Sequence, residues 1–278
     1  MSFDLKTALA GHLDQSGKVP FVGNDKSAPR PTLERPLVFR HYRPDRTVLW
    51  RGRVERMGTI LNAALPAWHP CSMLGTPFSS GSAYPADRPF VCGGGWLGRS
   101  TAKVDGLCQI AEALGIPNIT FHAQVDVVDE VTDNVLETGE RLEHVLPVWR
   151  DRLAASNLKV LWGTANQFSH PSQVQGSATS PCPDTFELTA VKQKHALDFT
   201  AALGGQLFII WDGQGGEFDA IISRPEFHEE RGIAMLHKVV DYAASKGIKV
   251  AIEPKPFEPS MGQDHRDVRT TLGILRKA

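Results

Sequence analysis

Two residues that could act on a substrate stand two positions apart near the end of the chain. Glu253 and Lys255 close the apolar stretch KVAIEPKP. Side chains two apart on a strand point to the same face, so the carboxylate and the ammonium would enter the same space. Charges are costly to bury unless they are paired or bound to a metal ion. The pair therefore indicates ligand or metal binding in preference to filling of a core.

Histidine and aromatic residues follow other apolar runs of the sequence. His122 ends one run, Phe168 follows another by a few positions, and Trp211 ends a third. Each has an ordinary structural explanation when taken alone. Together, aromatic faces with a few polar groups suit a sugar, whose C–H faces stack on rings while its hydroxyls need donors and acceptors.

The elements that would carry these residues alternate along the chain. Short apolar runs predict strands, and stretches with apolar residues three and four apart predict helices, several ending at glycine. Predicted strands cover residues 64–69, 116–122, 159–163, 207–211 and 249–254, and predicted helices cover 51–65, 101–115, 135–155, 184–203, 226–246 and 266–277.

This alternation predicts an α/β fold with a parallel sheet covered by helices. No phosphate-binding glycine motif follows a strand, since the glycine run at residues 93–95 falls in a predicted loop. We therefore expect an incomplete TIM (β/α) barrel of five strand–helix units, where a closed barrel has about eight. Residues 1–50 form a predicted N-terminal arm and residues 51–278 the partial barrel domain. In such a barrel, strand-end residues meet at one rim.

Composition and charge limit the possible binding partners and the cellular compartment. The 278 residues carry 30 basic and 31 acidic side chains, a net charge of -1, which favours neither nucleic acid nor an anionic membrane surface. No apolar run approaches the roughly 20 residues of a membrane helix, and the polar start is not a secretory signal. The 4 cysteines form no C-x-x-C pair. We expect a cytoplasmic protein with free thiols.

Four segments resemble motifs of the longer-form xylose isomerases. They are PLVFRHYRPD (36–45), LWGTANQFSHP (161–171), GSATSPCPD (176–184) and IEPKPFEP (252–259). The resemblance extends from about residue 30 to the end of the chain. It implies a metal-dependent aldose–ketose isomerase, usually tetrameric, with a (β/α)8 barrel. Such an enzyme converts D-xylose to D-xylulose by a hydride shift assisted by two divalent cations: Mg2+, and also Mn2+ or Co2+.

The resemblance also implies roles for individual residues. By position, Glu253 corresponds to a metal ligand, Lys255 to the lysine that hydrogen-bonds the sugar O1, and His122 to the ring-opening histidine. Trp68 and Trp211 correspond to two tryptophan walls, with Thr164 and Phe168 lining the same pocket.

The chain departs from the family pattern in three places. The aspartate that orients the ring-opening histidine follows it by three residues in the family, whereas here Asp126 follows His122 by four. Asp126 is the candidate for this catalytic role if the loop adjusts. After Trp211 the family reads Gly-Gly-Arg-Glu-Gly, and this chain has no arginine there. The later strands that carry the other metal ligands have no counterpart, so we expect a C-terminally truncated barrel with one ligand and impaired activity.

Two alternatives stay open on the sequence. The chain could be a non-catalytic remnant that binds or assembles without turnover. It could also be a related barrel, such as a sugar epimerase or a DNA-repair endonuclease. In either case the exposed edges of an open sheet predict a homo-oligomer.

Overall fold

The computed structural model of the chain describes residues 47–50, 53–56, 64–67, 95–114, 116–216, 224–256 and 262–278. Their helices are α1 (Gly95–Leu114), α2 (Val135–Ala155), α3 (Pro183–Ala202), α4 (Pro225–Ser245) and α5 (Val268–Leu275). Their strands are β1 (Thr47–Trp50), β2 (Arg53–Arg56), β3 (Ala64–Pro66), β4 (Asn118–His122), β5 (Lys159–Thr164), β6 (Leu207–Ile210) and β7 (Lys249–Ile252). A π-helix covers Ala123–Val127 and a 3-10 helix covers Pro171–Gln175.

The main sheet is parallel and its five strands follow one another in sequence order, from β3 to β7. Helices α2, α3 and α4 lie in the connections between successive strands from β4 onward. This is the arrangement of a (β/α) barrel that stays open after five strands, which confirms the predicted fold class. Within the described residues, β3 and β7 are the two edges of the sheet.

The helix predicted over residues 51–65 is wrong in its described part. Residues Arg53–Arg56 form β2, which pairs antiparallel with β1 so that Trp50 faces Arg53. The β-branched residues Thr47, Val48 and Val54 favour strands. The strand propensity of these residues therefore prevails over the spacing that predicted a helix.

Helix α1 begins at Gly95, six residues before the helix predicted from residue 101. Trp96 explains the extension, because its ring meets the His144 ring edge-on at 5.6 Å and lies under the Arg141 guanidinium at 5.2 Å. These contacts with α2 offset the low helix propensity of glycine. The other predicted helices and strands are confirmed to within three residues at each described end.

The core lies between the sheet and its helices. Phe121 of β4, Trp149 of α2 and Phe199 of α3 meet edge-to-face, with centroids 5.5 to 6.0 Å apart. All three side chains are at least 96% buried. This packing fixes α2 and α3 against β4 and so holds the strand ends that carry polar residues.

No helix of the described residues is long and apolar enough to span a membrane. The division of the chain at residue 50 stays a prediction.

Candidate functional site

Four of the residues predicted to bind a substrate meet at the carboxyl ends of the strands. His122 ends β4, Trp211 and Lys255 follow β6 and β7, and Phe168 follows β5 by four residues. The Phe168 and Trp211 ring centroids are 4.7 Å apart, and the His122 ring lies 5.6 Å from the first and 6.4 Å from the second. The Lys255 ammonium lies 4.6 Å from the centre of a Trp211 ring. An imidazole, two aromatic faces and a cation therefore share one rim.

Glu253 joins this rim through Lys255. The Lys255 Nζ lies 3.3 Å from Glu253 Oε1, and the side chains are 31% and 35% exposed. Both charged side chains are thus partly exposed. The backbone of Lys255 is held separately, since its N–H donates to the carbonyl of His265 at 3.0 Å.

His122 is oriented by Asp126 despite the additional residue between them. The extra residue is taken up by the π-helix of Ala123–Val127, which closes with a hydrogen bond from the Val128 N–H to the Ala123 carbonyl at 3.4 Å. A π-turn spans five residues where an α-turn spans four. As a result Asp126 Oδ2 accepts the backbone N–H of His122 at 2.6 Å and lies 3.1 Å from its ring Nδ1.

This contact sets the chemistry of the imidazole. Asp126 is fully buried and His122 is 6% exposed. A carboxylate at Nδ1 favours the tautomer with its proton on that nitrogen, which leaves a lone pair on Nε2. A neutral histidine held this way can accept a proton at Nε2 and return it.

Two other predicted residues do not add to this group in the described structure: one is buried and the other is not described. Thr164 of β5 pairs in register with His122, but it is 1% exposed, so its hydroxyl is shielded from a ligand in this structure. Trp68 lies outside the described residues.

A buried polar network behind the rim was not foreseen. The Lys192 ammonium of α3 lies 2.7 Å from Glu130 Oε1, and the Asn166 amide donates to Glu130 Oε2 at 2.7 Å. Lys192 was the available signal, because it lies on the face of the predicted helix that also carries Thr189 and Ala196. A charge on a buried helix face needs a partner, but the sequence does not show which acid supplies it.

The described residues do not by themselves form a metal centre. No group of three or more His, Cys, Asp or Glu side chains within them is placed to hold a metal ion. Glu253 is paired with Lys255, and divalent cations in proteins require several oxygen or nitrogen ligands. The metal-binding role of Glu253 stays a prediction.

A second polar feature surrounds Asp212, which follows Trp211 directly after β6. Asp212 is buried, accepts a hydrogen bond from the Ser177 hydroxyl and borders a cavity of about 30 Å³ together with Gln193, Asp264 and His265. Burial, opposed by the Ser177 bond, raises the pKa of Asp212 to about 7. Burial lowers the pKa of His265 to about 4. The cavity has room for one or two water molecules and none for a sugar.

The sequence is similar to proteins named xylose isomerase in several bacteria. It is 35% identical over 248 residues to the protein of Paraburkholderia phytofirmans, covering 88% of this chain and 54% of that one. It is 34% identical over 265 residues to xylose isomerase 1 of Xanthomonas axonopodis pv. citri, covering 94% of this chain and 56% of that one. The chain thus spans about half the length of the curated relatives it matches. No family model matches the sequence.

Solved structures of sugar epimerases share part of the fold. A D-allulose 3-epimerase from Methylomonas sp. is 18% identical with a TM-score of 0.47, covering 68% of this chain and 56% of that chain. The 3-keto-D-glucoside 4-epimerase YcjR from E. coli is 12% identical with a TM-score of 0.45, covering 64% of this chain and 59% of that chain. Similarity at this level says nothing about a substrate.

Proposed function

Since the chain is related to the xylose isomerases over 88% of its length, we propose that it forms the part of an aldose–ketose isomerase that binds a pentose and opens its ring. The observation that carries this proposal is the His122–Asp126 contact beside two aromatic rings and a lysine. The substrate is D-xylose, and the isomerised product of the complete reaction is D-xylulose.

In the proposed step His122 moves one proton. Its Nε2 takes the proton from the anomeric hydroxyl of the cyclic sugar as the bond between C1 and the ring oxygen breaks. The same proton then passes to the ring oxygen, which leaves the open-chain aldehyde and restores the neutral imidazole. Asp126 supports both transfers by stabilising the imidazolium that forms between them.

The other rim residues bind and enclose the sugar. Phe168 offers a face on which the C–H side of a pentose stacks, and Trp211, which is 4% exposed, backs that ring at 4.7 Å. Together they exclude water from the reacting atoms. Lys255 donates to a sugar oxygen from its position above Trp211, with Glu253 orienting the ammonium group. Asp126 acts through His122, so it is a positioning residue.

The hydride shift that the resemblance implies would use a divalent cation, Mg2+, Mn2+ or Co2+. Glu253 would be one of its ligands. Because the described residues do not form a metal centre by themselves, the proposal for this chain is confined to sugar binding and ring opening. A second candidate function is the binding of a sugar without isomerisation, because the Glu253 carboxylate is engaged by Lys255.

The test follows the exchange of α- and β-xylopyranose by NMR, which measures ring opening without isomerisation. We expect the protein to accelerate this exchange and His122→Gln to lower the acceleration about 100-fold or more, since general acid–base groups contribute about 10²–10⁴. His237→Gln is the matched control, because His237 is exposed on α4.

Two further measurements separate the candidate functions. Xylulose formation with each of the three cations tests the complete isomerase, and calorimetric titration with xylitol tests binding alone. Binding without accelerated exchange favours the sugar-binding module. Failure to bind xylitol, or equal exchange rates with His122→Gln and with the unaltered protein, contradicts the proposed function.

A further inference from the structure

The pair of Glu130 and Lys192 lies one layer behind the candidate site. Lys192 is fully buried, and its ammonium reaches Glu130 Oε1 at 2.7 Å and Gln173 Oε1 at 3.3 Å. Burial lowers the pKa of Lys192, and the carboxylate of Glu130 opposes that shift. A lysine in such a place must be held by its acid, so the position of Glu130 is closely defined.

Glu130 in turn fixes the position of the Asn166 side chain. Its Oε2 accepts the Asn166 side-chain amide at 2.7 Å. The other end of the same amide, Asn166 Oδ1, accepts the backbone N–H groups of Phe168 and Ser169, each at 3.2 Å. Asn166 thus stabilises the turn after β5 by hydrogen bonds from the turn backbone to its own side chain. That turn presents Phe168 to His122.

Gln124 connects this network to the segment that follows His122. It lies in the π-helix, is fully buried, and donates through Nε2 to the Lys192 carbonyl at 2.7 Å. Its Oε1 accepts the backbone N–H of Asn166 at 2.9 Å. The turn that orients His122 and the turn that carries Phe168 therefore share the same anchors on α3.

We propose that Glu130 and Lys192 are positioning residues that hold Phe168 against the His122 ring through Asn166. Glu130 and Lys192 are too deeply buried to touch a sugar, with side chains 9% and 0% exposed, so they act only through other residues. Their importance for catalysis rests on the proposed function, whereas their effect on the geometry of Phe168 and His122 does not.

The neighbouring residue supplies a matched control. Asp129 also pairs with a fully buried lysine, Lys103, at 3.0 Å. It is further bound by Arg99 of α1. Its contacts reach the π-helix only through Lys103, which also donates to the Val125 carbonyl at 3.1 Å, and none of them reaches Asn166. A merely structural role for buried ion pairs predicts the same outcome for the loss of either acid. A positioning role predicts different outcomes at His122.

The experiment records the ring C–H signals of His122 in folded protein by two-dimensional NMR. These signals are assigned by their loss in His122→Gln, and they report the ring currents of Phe168 and Trp211. Phe168→Leu gives the direction of the shift when one ring is removed. We expect Glu130→Gln to move the signals in that direction, and Asp129→Asn to leave them in place although it also lowers the melting temperature.

Asn166→Asp tests the link while Glu130 and Lys192 remain paired. It keeps the oxygen that accepts from Phe168 and Ser169, but it turns a second oxygen towards Glu130. We expect the same direction of shift. If Glu130→Gln does not fold, the result for Asn166→Asp decides the inference. Unchanged His122 signals in the folded variants, or an equal shift in Asp129→Asn, would overturn the inference. If the shifts appear while ring opening is absent, the proposed function fails and the positioning network stands.

Discussion

Asp212 and His265 border the same small cavity, and their ionisations act on stability in opposite directions. The folded pKa of Asp212 is raised to about 7, so its favourable contribution is complete below pH 4 and is lost as the pH rises to about 7. The folded pKa of His265 is lowered to about 4, so its unfavourable contribution disappears as the pH rises from 4 to 6.5. Each slope approaches about 1.4 kcal/mol per pH unit.

We therefore predict that the two slopes nearly cancel between pH 4 and 6.5. Asp212→Asn removes one of them, so the free energy of unfolding of this variant should rise with pH over that range by about 2–3 kcal/mol. Urea denaturation at several pH values measures the slope. Asp151→Asn, on the exposed face of α2, is the control. A slope of Asp212→Asn that matches the control would mean that Asp212 is ionised throughout.

At the scale of elements, the contact of β5 with α3 depends on a glycine. A Cβ at Gly163 would collide with the Thr200 hydroxyl and would come within 2.8 Å of the Phe121 ring. Gly163 therefore lets α3 lie close to the sheet directly before Thr164, at the end of β5 that leads into the Phe168 turn. The register of β5 beside β4 depends on this approach, since Gly163 pairs with Phe121.

Gly163→Ala should destabilise the protein by about 1–3 kcal/mol, because an added methyl group in a packed core forces neighbours to shift. Gly273→Ala provides the contrast, since nothing lies within 4 Å of a Cβ at that helical position. We expect it to be neutral or to stabilise by about 0.5–1 kcal/mol. Chemical denaturation of both variants measures the difference, and equal effects would contradict the close approach of α3.

At the scale of the whole molecule, the described sheet is open at β7. The N–H groups of Lys249 and Glu253 donate to the carbonyls of Gln206 and Ile210 beside β6. Because peptide groups alternate along a strand, the N–H groups of Val250 and Ile252 point away from β6. Helix α5 adds an exposed apolar stripe at Val268, Leu272 and Leu275. Open edges and apolar stripes of this kind favour association.

We accordingly predict concentration-dependent self-association that uses the β7 edge. Val250→Pro removes an outward N–H without affecting the bonds to β6, so it should shift the protein towards monomer. Val250→Thr keeps the N–H and serves as the control. Sedimentation velocity over a range of concentrations measures the distribution. A protein that is monomeric at every concentration, or two variants that associate alike, would contradict the prediction.

From β3 onward, the sequence by itself determined the order of the strands and α-helices and most of the residues at the rim. Apolar runs and helical spacing are local properties, so α2 could be predicted at residues 135–155 without knowledge of its neighbours. The spacing of Glu253 and Lys255 placed both on one face for the same reason. In a parallel sheet, Glu253 and Lys255 must then lie near His122 and Trp211, since the ends of parallel strands share one edge.

Only the tertiary structure decided how those residues are held. The π-helix that returns Asp126 to His122 depends on the packing of residues 123–127, which are all buried. The pairing of Glu130 with Lys192 joins residues 62 positions apart along the sequence. It exists because α3 packs against the π-helix that follows β4. Contacts of this kind follow from register and helix packing, which no periodicity of the sequence encodes.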